Sequence, residues 1–487
     1  MNRPFRLTTE DFHPMFGLET DVFILLFISL FAACAFEFVN GFHDTANAVA
    51  TVIYTNSLKP TVAVVWSGIC NFTGVLLGGI GVAMGIVNLL PVELLVDQNV
   101  YHSVAMVMAL LLSAIIWNFG TWYFGLPSSS SHTLIGSILG VGLAFATLPE
   151  NKDGAAINWE KAIETGYALL LSPLLGFSLV IIIMFLIRRL VPVESKDQLF
   201  KEPKKNAPPP TWIRAILILT CSLVSFFHGS NDGQKGVGLV MLILIGIVPF
   251  QFAVKPDLDP RLLQSNITGI EQAIAALDSN QLSTTNRARL ARTRTELTGL
   301  RNLISNPTAD NRISRTKRLD VRSDLLLINS NMTKIVQDEG ANLSPNQAAM
   351  LKANLGEESG IRRYTDYAPL WVILMIALSL GLGTMIGWRR IVVTVGEKIG
   401  KQHLTYAQGA SAELTAAIMI GMASWLRLPV STTHVLSSGI AGSMVANKGI
   451  KNLQAATVRN IALAWVLTLP VSVLLSFTLY SLFRWLV

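Results

Sequence analysis

Four short runs in this 487-residue chain gather acid, amide, hydroxyl and imidazole groups inside stretches that are otherwise apolar. Asn40–Ala48 reads NGFHDTANA and His228–Gly236 reads HGSNDGQKG, so each holds one aspartate, Asp44 or Asp232, among small residues and amides. Gly125–Gly136 reads GLPSSSSHTLIG and Arg427–Ser438 reads RLPVSTTHVLSS. A carboxylate within a membrane costs at least ~2.5 kcal/mol on insertion scales, so each aspartate is expected to face a ligand, an ion or an aqueous cavity. Proline suits the first turn of a helix, and neighbouring serine or threonine caps its free N–H groups. Such a helix start is an anion site, because N–H groups, hydroxyls and the positive dipole end converge on it. Asp44, Asn47, Asn231 and Asp232, with the hydroxyls of Ser129, Ser130, Ser131, Ser431, Thr432 and Thr433, are therefore the candidate binding residues. The bland alternatives are a structural cap for each aspartate and a small-residue packing seam for each hydroxyl run.

Other groups could move charge. Four of the seven histidines, His43, His132, His228 and His434, fall inside the runs. Imidazole titrates near neutrality, which makes His43 and His228 candidate proton relays; the alternative is a hydrogen-bonded fixture. Glu37 and Glu413 are further carboxylates in apolar surroundings and candidate coupling groups. No closed metal-site spacing is present, so no resident metal or permanently bound cofactor is expected.

These residues need elements that hold them at membrane depth. Hydrophobic residues make up 51% of the chain and charged ones 14%, against about 25% in a typical soluble domain. That excludes an ordinary soluble enzyme and a disordered or fibrous chain. Apolar segments approaching the roughly 20 residues of a span occur at 21–39, 61–90, 101–124, 165–190, 212–227, 236–253, 367–387, 405–425 and 457–486. Shorter ones at 44–55, 128–148 and 430–446 are broken by Ser, Thr, Gly and Pro, as in re-entrant segments that line a cavity. The formal charge is +7, but Lys and Arg flank apolar segments, as at Arg188-Arg189 and Arg389-Arg390, in the manner of cytoplasmic loops. No basic stripe interleaved with aromatics appears, so a nucleic-acid partner is not expected. Cys34, Cys70 and Cys221 are scattered, without disulfide or zinc spacing, and the N-terminus lacks a cleavable signal pattern.

The runs repeat in order on either side of a polar linker at 191–211. Asp44 to Pro127 spans 83 residues and Asp232 to Pro429 spans 197, an excess of 114. A polar insert at 254–366, 113 residues long with 16 basic and 13 acidic residues, accounts for that excess. The organisation expected is a first transmembrane repeat at 1–190, the linker, the start of a second repeat at 212–253, a soluble helical insert at 254–366 and the rest of the second repeat at 367–487. The insert has helical apolar spacing in Leu262–Leu277 and Leu290–Ile304, breaks at Asn306-Pro307 and Ser344-Pro345, and no catalytic constellation. If Arg389–Lys401 is cytoplasmic, the single span at 367–387 places the insert outside. The fold class is thus an all-α polytopic membrane protein with two inverted repeats, interrupted or re-entrant helices and a helical soluble insert, the pattern of a secondary transporter.

Two carboxylates would repel an anion unless a cation bridges them, which implies cotransport of Na⁺ or H⁺ or entry of the anion with a divalent metal. The repeats differ where this matters: Asn47, three residues after Asp44, is matched by Lys235 after Asp232. An ammonium there would occupy a sodium's place or touch the anion, biasing coupling towards H⁺.

Taken together, GFHDTANAVATVIYT, HGSNDGQKGVGLVML, GTWYFGLPSSSSHTLIG and LPVSTTHVLSS resemble the inorganic phosphate transporter (PiT) family in its bacterial low-affinity branch, over roughly 20–253 and 367–487. The resemblance implies a multi-pass protein of the bacterial inner membrane that forms a homodimer, with inorganic phosphate held between inverted repeats and arsenate as its analogue. It also implies that Asp44, Asn47, Asn231, Asp232, Ser129–Ser131 and Ser431–Thr433 contact phosphate or cation, and that Glu413 takes part in transport. Sodium-coupled members carry a similar Asn-Asp-x-x-Asn pattern in both repeats; His43 and Lys235 depart from it. The branch implied is one that carries a neutral metal–phosphate complex, with Mg²⁺ or another divalent ion, together with H⁺. Na⁺-coupled symport, an anion channel and an intramembrane hydrolase are the competing classes. Filters favour carbonyls or charged rings around an oligomer axis, and a Ser-His pair occurring twice suits binding better than one catalytic centre.

Overall fold

The computed structural model describes residues 18–486 except 45, 88, 91–98, 149–156, 158, 205, 206, 258, 276, 306–311, 342 and 358, with backbone alone at 46, 47, 160, 161 and 339. The N-terminal pattern and the Asn306-Pro307 break therefore lie outside the described residues, as does the side chain of Asn47. The helices of the first half are α1 (Thr20–Asp44), α2 (Ala46–Tyr54), α3 (Pro60–Leu77), α4 (Gly81–Val87), α5 (Val100–Tyr123), α6 (Ser130–Ala146), α7 (Trp159–Leu190) and α8 (Val193–Leu199). The second half continues with α9 (Thr211–Ile247), α10 (Pro249–Phe252), α11 (Pro260–Ala275), α12 (Thr284–Ile304), α13 (Arg318–Val336), α14 (Pro345–Leu355) and α15 (Arg362–Thr365). It ends with α16 (Leu370–Thr384), α17 (Arg389–Val393), α18 (Tyr406–Trp425), α19 (Thr432–Lys448) and α20 (Ala455–Leu486). No β-strand occurs among the described residues, so the all-α expectation holds.

Two compact units form, one from Ser29–Pro91, Ala105–Val240 and Ala368–Val487, the other built on Met241–Tyr367. Six described helical stretches are long and apolar enough to cross a membrane, at Thr20–Tyr54, Pro60–Leu77, Val100–Tyr123, Ala162–Leu190, Thr211–Ile247 and Ala455–Leu486. A seventh arises if Leu370–Thr384 and Arg389–Lys398, bent by 55° at their junction, make one span. A spanning chain must pair its backbone groups internally, which is why helices carry all of these segments.

One expectation is corrected. Separate spans at 212–227 and 236–253 would leave a break at the Asp232 run, whereas α9 passes through that run as one 37-residue helix. Its glycines are packing positions and do not interrupt it. A Cβ on Gly229 would lie 2.1 Å from the Asn71 carbonyl oxygen, and one on Gly74 of α3 would lie 2.0 Å from the Phe226 carbonyl oxygen. Gly233 likewise faces Val75. Small residues one helical turn apart let α3 and α9 approach backbone to backbone, as in small-xxx-small seams. Gly229→Val should therefore destabilise this unit by about 1–3 kcal/mol or more through overpacking. A thermal melt of the detergent-purified variant with an unchanged midpoint would show that the helices do not meet there.

The two 17-residue helices that follow the hydroxyl runs are buried, and each lies on a long helix of the other half: α6 on α20, α19 on α7. Both long helices have 32 residues and an internal proline, Pro173 or Pro470. Around them one apolar core joins α2 (Val49, Val52), α9 (Leu217, Cys221), α18 (Ala412, Ala416) and α19 (Leu436, Ile440).

The second unit has its own core, running from Val254 to Tyr364. α11 packs on α14 and α12 on α13, burying residues such as Ile267, Ile270, Leu290, Leu297, Val321 and Leu325. Its two ends are tied together: Lys255 N donates to the Tyr364 carbonyl at 2.9 Å, and the buried Arg322 Nη1 donates to the carbonyls of Ala253 (2.9 Å) and Thr365 (3.1 Å). Burial, followed by the hydrogen bond and charge of Glu296 and the charge of Asp320, pushes the half-buried Asp324 up to about 7. The folded insert then holds a proton that the unfolded chain releases near its ordinary value of 3.8, so its stability falls as pH rises between those values. Amide exchange in α12 and α13 of the full-length protein, corrected for intrinsic rates, should be better protected at the acidic end of that window. Asp324→Asn should flatten the profile; a profile that is already flat in the parent protein would contradict this.

Candidate functional site

The runs converge inside the first unit. Asp44 ends α1, Asp232 lies midway along α9, and α6 and α19 start at N-caps Ser129 and Ser431. Each cap hydroxyl accepts from the N–H of the histidine three residues on, His132 (3.2 Å) or His434 (3.1 Å). The proline-led runs thus form the helix starts expected of them. The N–H groups of Ser130, Ser131, Thr432 and Thr433 fall in first turns, where no intrahelical carbonyl is available to them.

The next hydroxyls reach the acids. Ser130 Oγ lies 3.0 Å from Asp44 Oδ2 and 3.2 Å from Asp232 Oδ2, so one hydroxyl on α6 touches the aspartates of both halves. Thr433 Oγ1 donates to Asp44 Oδ1 at 2.7 Å. His43 Nδ1 lies 2.9 Å from the same oxygen, while its Nε2 lies 3.3 Å from Thr121 Oγ1. Lys235, 1% exposed, places Nζ 2.6 Å from Asp232 Oδ1 and 2.6 Å from Ser131 Oγ. Ser131 Oγ in turn donates to the Val430 carbonyl at 2.7 Å, linking α6 to the turn before α19. Charge-assisted bonds of this length in a low-dielectric core are the strong kind, and they hold the four elements in register.

His228 sits above both acids. Its Nδ1 lies 2.9 Å from Asn71 Oδ1, and its Nε2 lies 3.8 Å from Asp44 Oδ2 and 3.6 Å from Asp232 Oδ2. One ligand atom from each of Asp44, His228 and Asp232 falls within 4.8 Å of the others, a spacing that a cation would fit. Carboxylate oxygens with one imidazole nitrogen are a donor set open to divalent ions.

Other expected site residues are placed differently. Asn231 spends its amide on the turn ahead of α19: Nδ2 donates to Ser424 Oγ (3.2 Å) and the Leu428 carbonyl (3.1 Å), and Oδ1 accepts from Val430 N (3.3 Å). In this arrangement it positions α19. Thr432 is buried at the start of α19. Glu413, buried on α18, accepts hydroxyls from Thr51 of α2 and Thr220 of α9, away from the aspartate network. Glu37 is buried on α1, two turns before Asp44.

Sequence reasoning passed over Asn71, Thr121 and Ser128. Asn71 had a signal, an amide in an apolar span, and Ser128 lay inside the serine run. It also passed over a ring stack in which His132 and His434 lie 4.5 Å apart and His434 lies 4.0 Å from Trp465. Trp465 Nε1 donates to the Pro127 carbonyl at 3.0 Å, so α20 braces both helix starts.

The model of the phosphate transporter family matches residues 40–476. The chain is 42% identical to the low-affinity inorganic phosphate transporter PitA of Escherichia coli (strain K12), covering 96% of this chain and 99% of that protein. It is 41% identical to PitB of the same organism, over 95% and 97% of the two chains. It is also 42% identical to a low-affinity inorganic phosphate transporter of Buchnera aphidicola, over 94% and 96%. Among solved structures, the sodium-dependent phosphate transporter matches with a TM-score of 0.54 and 18% identity, covering 95% of this chain and 100% of that one, a likeness of fold. With a family model matching across both halves and relatives alike over nearly their whole length, the chain belongs to the phosphate transporter family.

Proposed function

We propose that this protein is a secondary transporter that takes up inorganic phosphate by alternating access between two inverted repeats, with H⁺ as the coupling ion and a divalent metal entering with the phosphate. The observation that carries the reading is the single Ser130 hydroxyl within 3.2 Å of an aspartate from each half. A group shared by the two halves is where a rocking motion between them would open and close a site. The relatives' names supply the substrate class, phosphate.

The chemistry is consistent with that substrate. Phosphate would take the first-turn N–H groups of α6 and α19 and the hydroxyls of Ser130, Ser131, Thr432 and Thr433. Cations must offset Asp44 and Asp232, and Asp44, His228 and Asp232 are the groups that would take the metal of a metal–phosphate complex. Lys235 already neutralises one oxygen of Asp232, which supports H⁺ over Na⁺ at that position. The bacterial relatives support a place in the bacterial inner membrane.

A carrier and a channel differ in exchange. Proteoliposomes preloaded with unlabelled phosphate should take up labelled phosphate faster than empty ones, and arsenate outside should compete. Flux that neither saturates nor responds to phosphate inside would indicate a channel and overturn the carrier reading.

A further inference from the structure

We propose that Glu37 is the group that carries the coupled proton, an inference that rests on the proton-coupled reading above. Glu37 is 0% exposed. Its Oε2 accepts a long 3.3 Å bond from Asn40 Nδ2, and its Oε1 has no hydrogen-bond partner. The backbone of α9 presses on the carboxyl, since a Cβ on Gly236 would fall 2.6 Å from Oε1. The titratable and charged groups that face it are Asp232 and Lys235 on α9, and Asp44 and Cys34 on its own helix. Lys235 is committed to Asp232 and Ser131, and Glu37 makes no ion pair among the described residues.

An ionised carboxylate buried without a counter-charge is among the costliest states a protein core can hold, and two neighbouring carboxylates add to that cost. The neutral acid is therefore the form that this closed arrangement accommodates. Glu413 is equally buried but is held by two hydroxyls, from Thr51 and Thr220, where Glu37 has only the long amide bond. Glu37 lies outside the aspartate pair that touches α6 and α19, so proton and phosphate occupy different groups. Release of the proton then needs the movement that separates Gly236 from the carboxyl and admits water. That couples the proton's exit to the conformational change itself.

Glu37→Gln keeps the size of the neutral acid but has no proton to release. Exchange of labelled for unlabelled phosphate never requires that release, whereas net uptake driven by a pH gradient does. In proteoliposomes the variant should lose gradient-driven phosphate uptake by about tenfold or more while counterflow stays within about twofold of the parent. Glu37→Asp, which keeps a titratable group, should recover part of the gradient-driven uptake. Accumulation by Glu37→Gln at the parent rate would overturn the inference, and so would loss of counterflow together with uptake. If the parent protein itself ignores a pH gradient, the proton-coupled reading fails first and this inference falls with it.

Discussion

Asp44→Asn and Asp232→Asn should each reduce phosphate uptake in proteoliposomes to below about 1% of the parent rate. Asp44 receives Thr433, Ser130 and His43, so one carboxylate ties α1 to the starts of both α6 and α19. An amide in its place presents N–H where an acceptor is needed, and the charge that would hold a cation is gone. At Asp232 a second effect adds. Its Oδ1 lies 2.6 Å from a buried ammonium, and removing one partner of a buried pair costs about 3–5 kcal/mol because the other charge is left unpaired. Asp232→Asn should therefore lower the melting temperature as well as the rate, and Asp44→Asn should affect mainly the rate. Normal uptake by either variant would refute the assigned site.

The second large effect concerns the choice of ion. Asn47 follows Asp44 by three residues and Lys235 follows Asp232 by three, so Lys235→Asn makes the two runs alike. In the parent protein the Lys235 ammonium fills the space between Asp232 Oδ1 and Ser131 Oγ, 2.6 Å from each. Without it, that oxygen needs another cation, and a hard ion such as Na⁺ suits oxygen ligands. Uptake by the variant should rise about fivefold or more when Na⁺ replaces choline, the scale of a typical coupling between two ligands, while the parent protein stays indifferent. An ion dependence identical in the two proteins would remove Lys235 from the coupling scheme.

Much of the candidate site's local arrangement could be read before any fold was known. Asp44 and Asp232 stood out because carboxylates are costly in apolar stretches, and the 83- and 197-residue spacings pointed to a repeat with an insert in its second part. Prolines followed by hydroxyls marked the starts of α6 and α19, since capping is a local property of a few residues. Partners that depend on tertiary approach were not legible. The glycines of α9 looked like a break because the Asn71 carbonyl and the Val75 side chain that demand Gly229 and Gly233 lie on another helix, α3. Asn231 read as a binding candidate, and its amide's bonds to the Ser424–Val430 turn, nearly 200 residues further on, could not be seen from local sequence. The stack of His132, His434 and Trp465 needs three helices side by side, and no local spacing announces it. The type of each residue was local information; its neighbours were not.

Proton-coupled phosphate transport is proposed to run through the aspartate pair and the two buried helix starts. Its most direct test is labelled phosphate uptake by the purified parent protein in proteoliposomes, with the pH gradient, Na⁺ and Mg²⁺ varied independently. Saturable accumulation should follow an inward proton gradient, increase with Mg²⁺ and ignore Na⁺. Accumulation driven by a Na⁺ gradient and indifferent to pH would contradict the account.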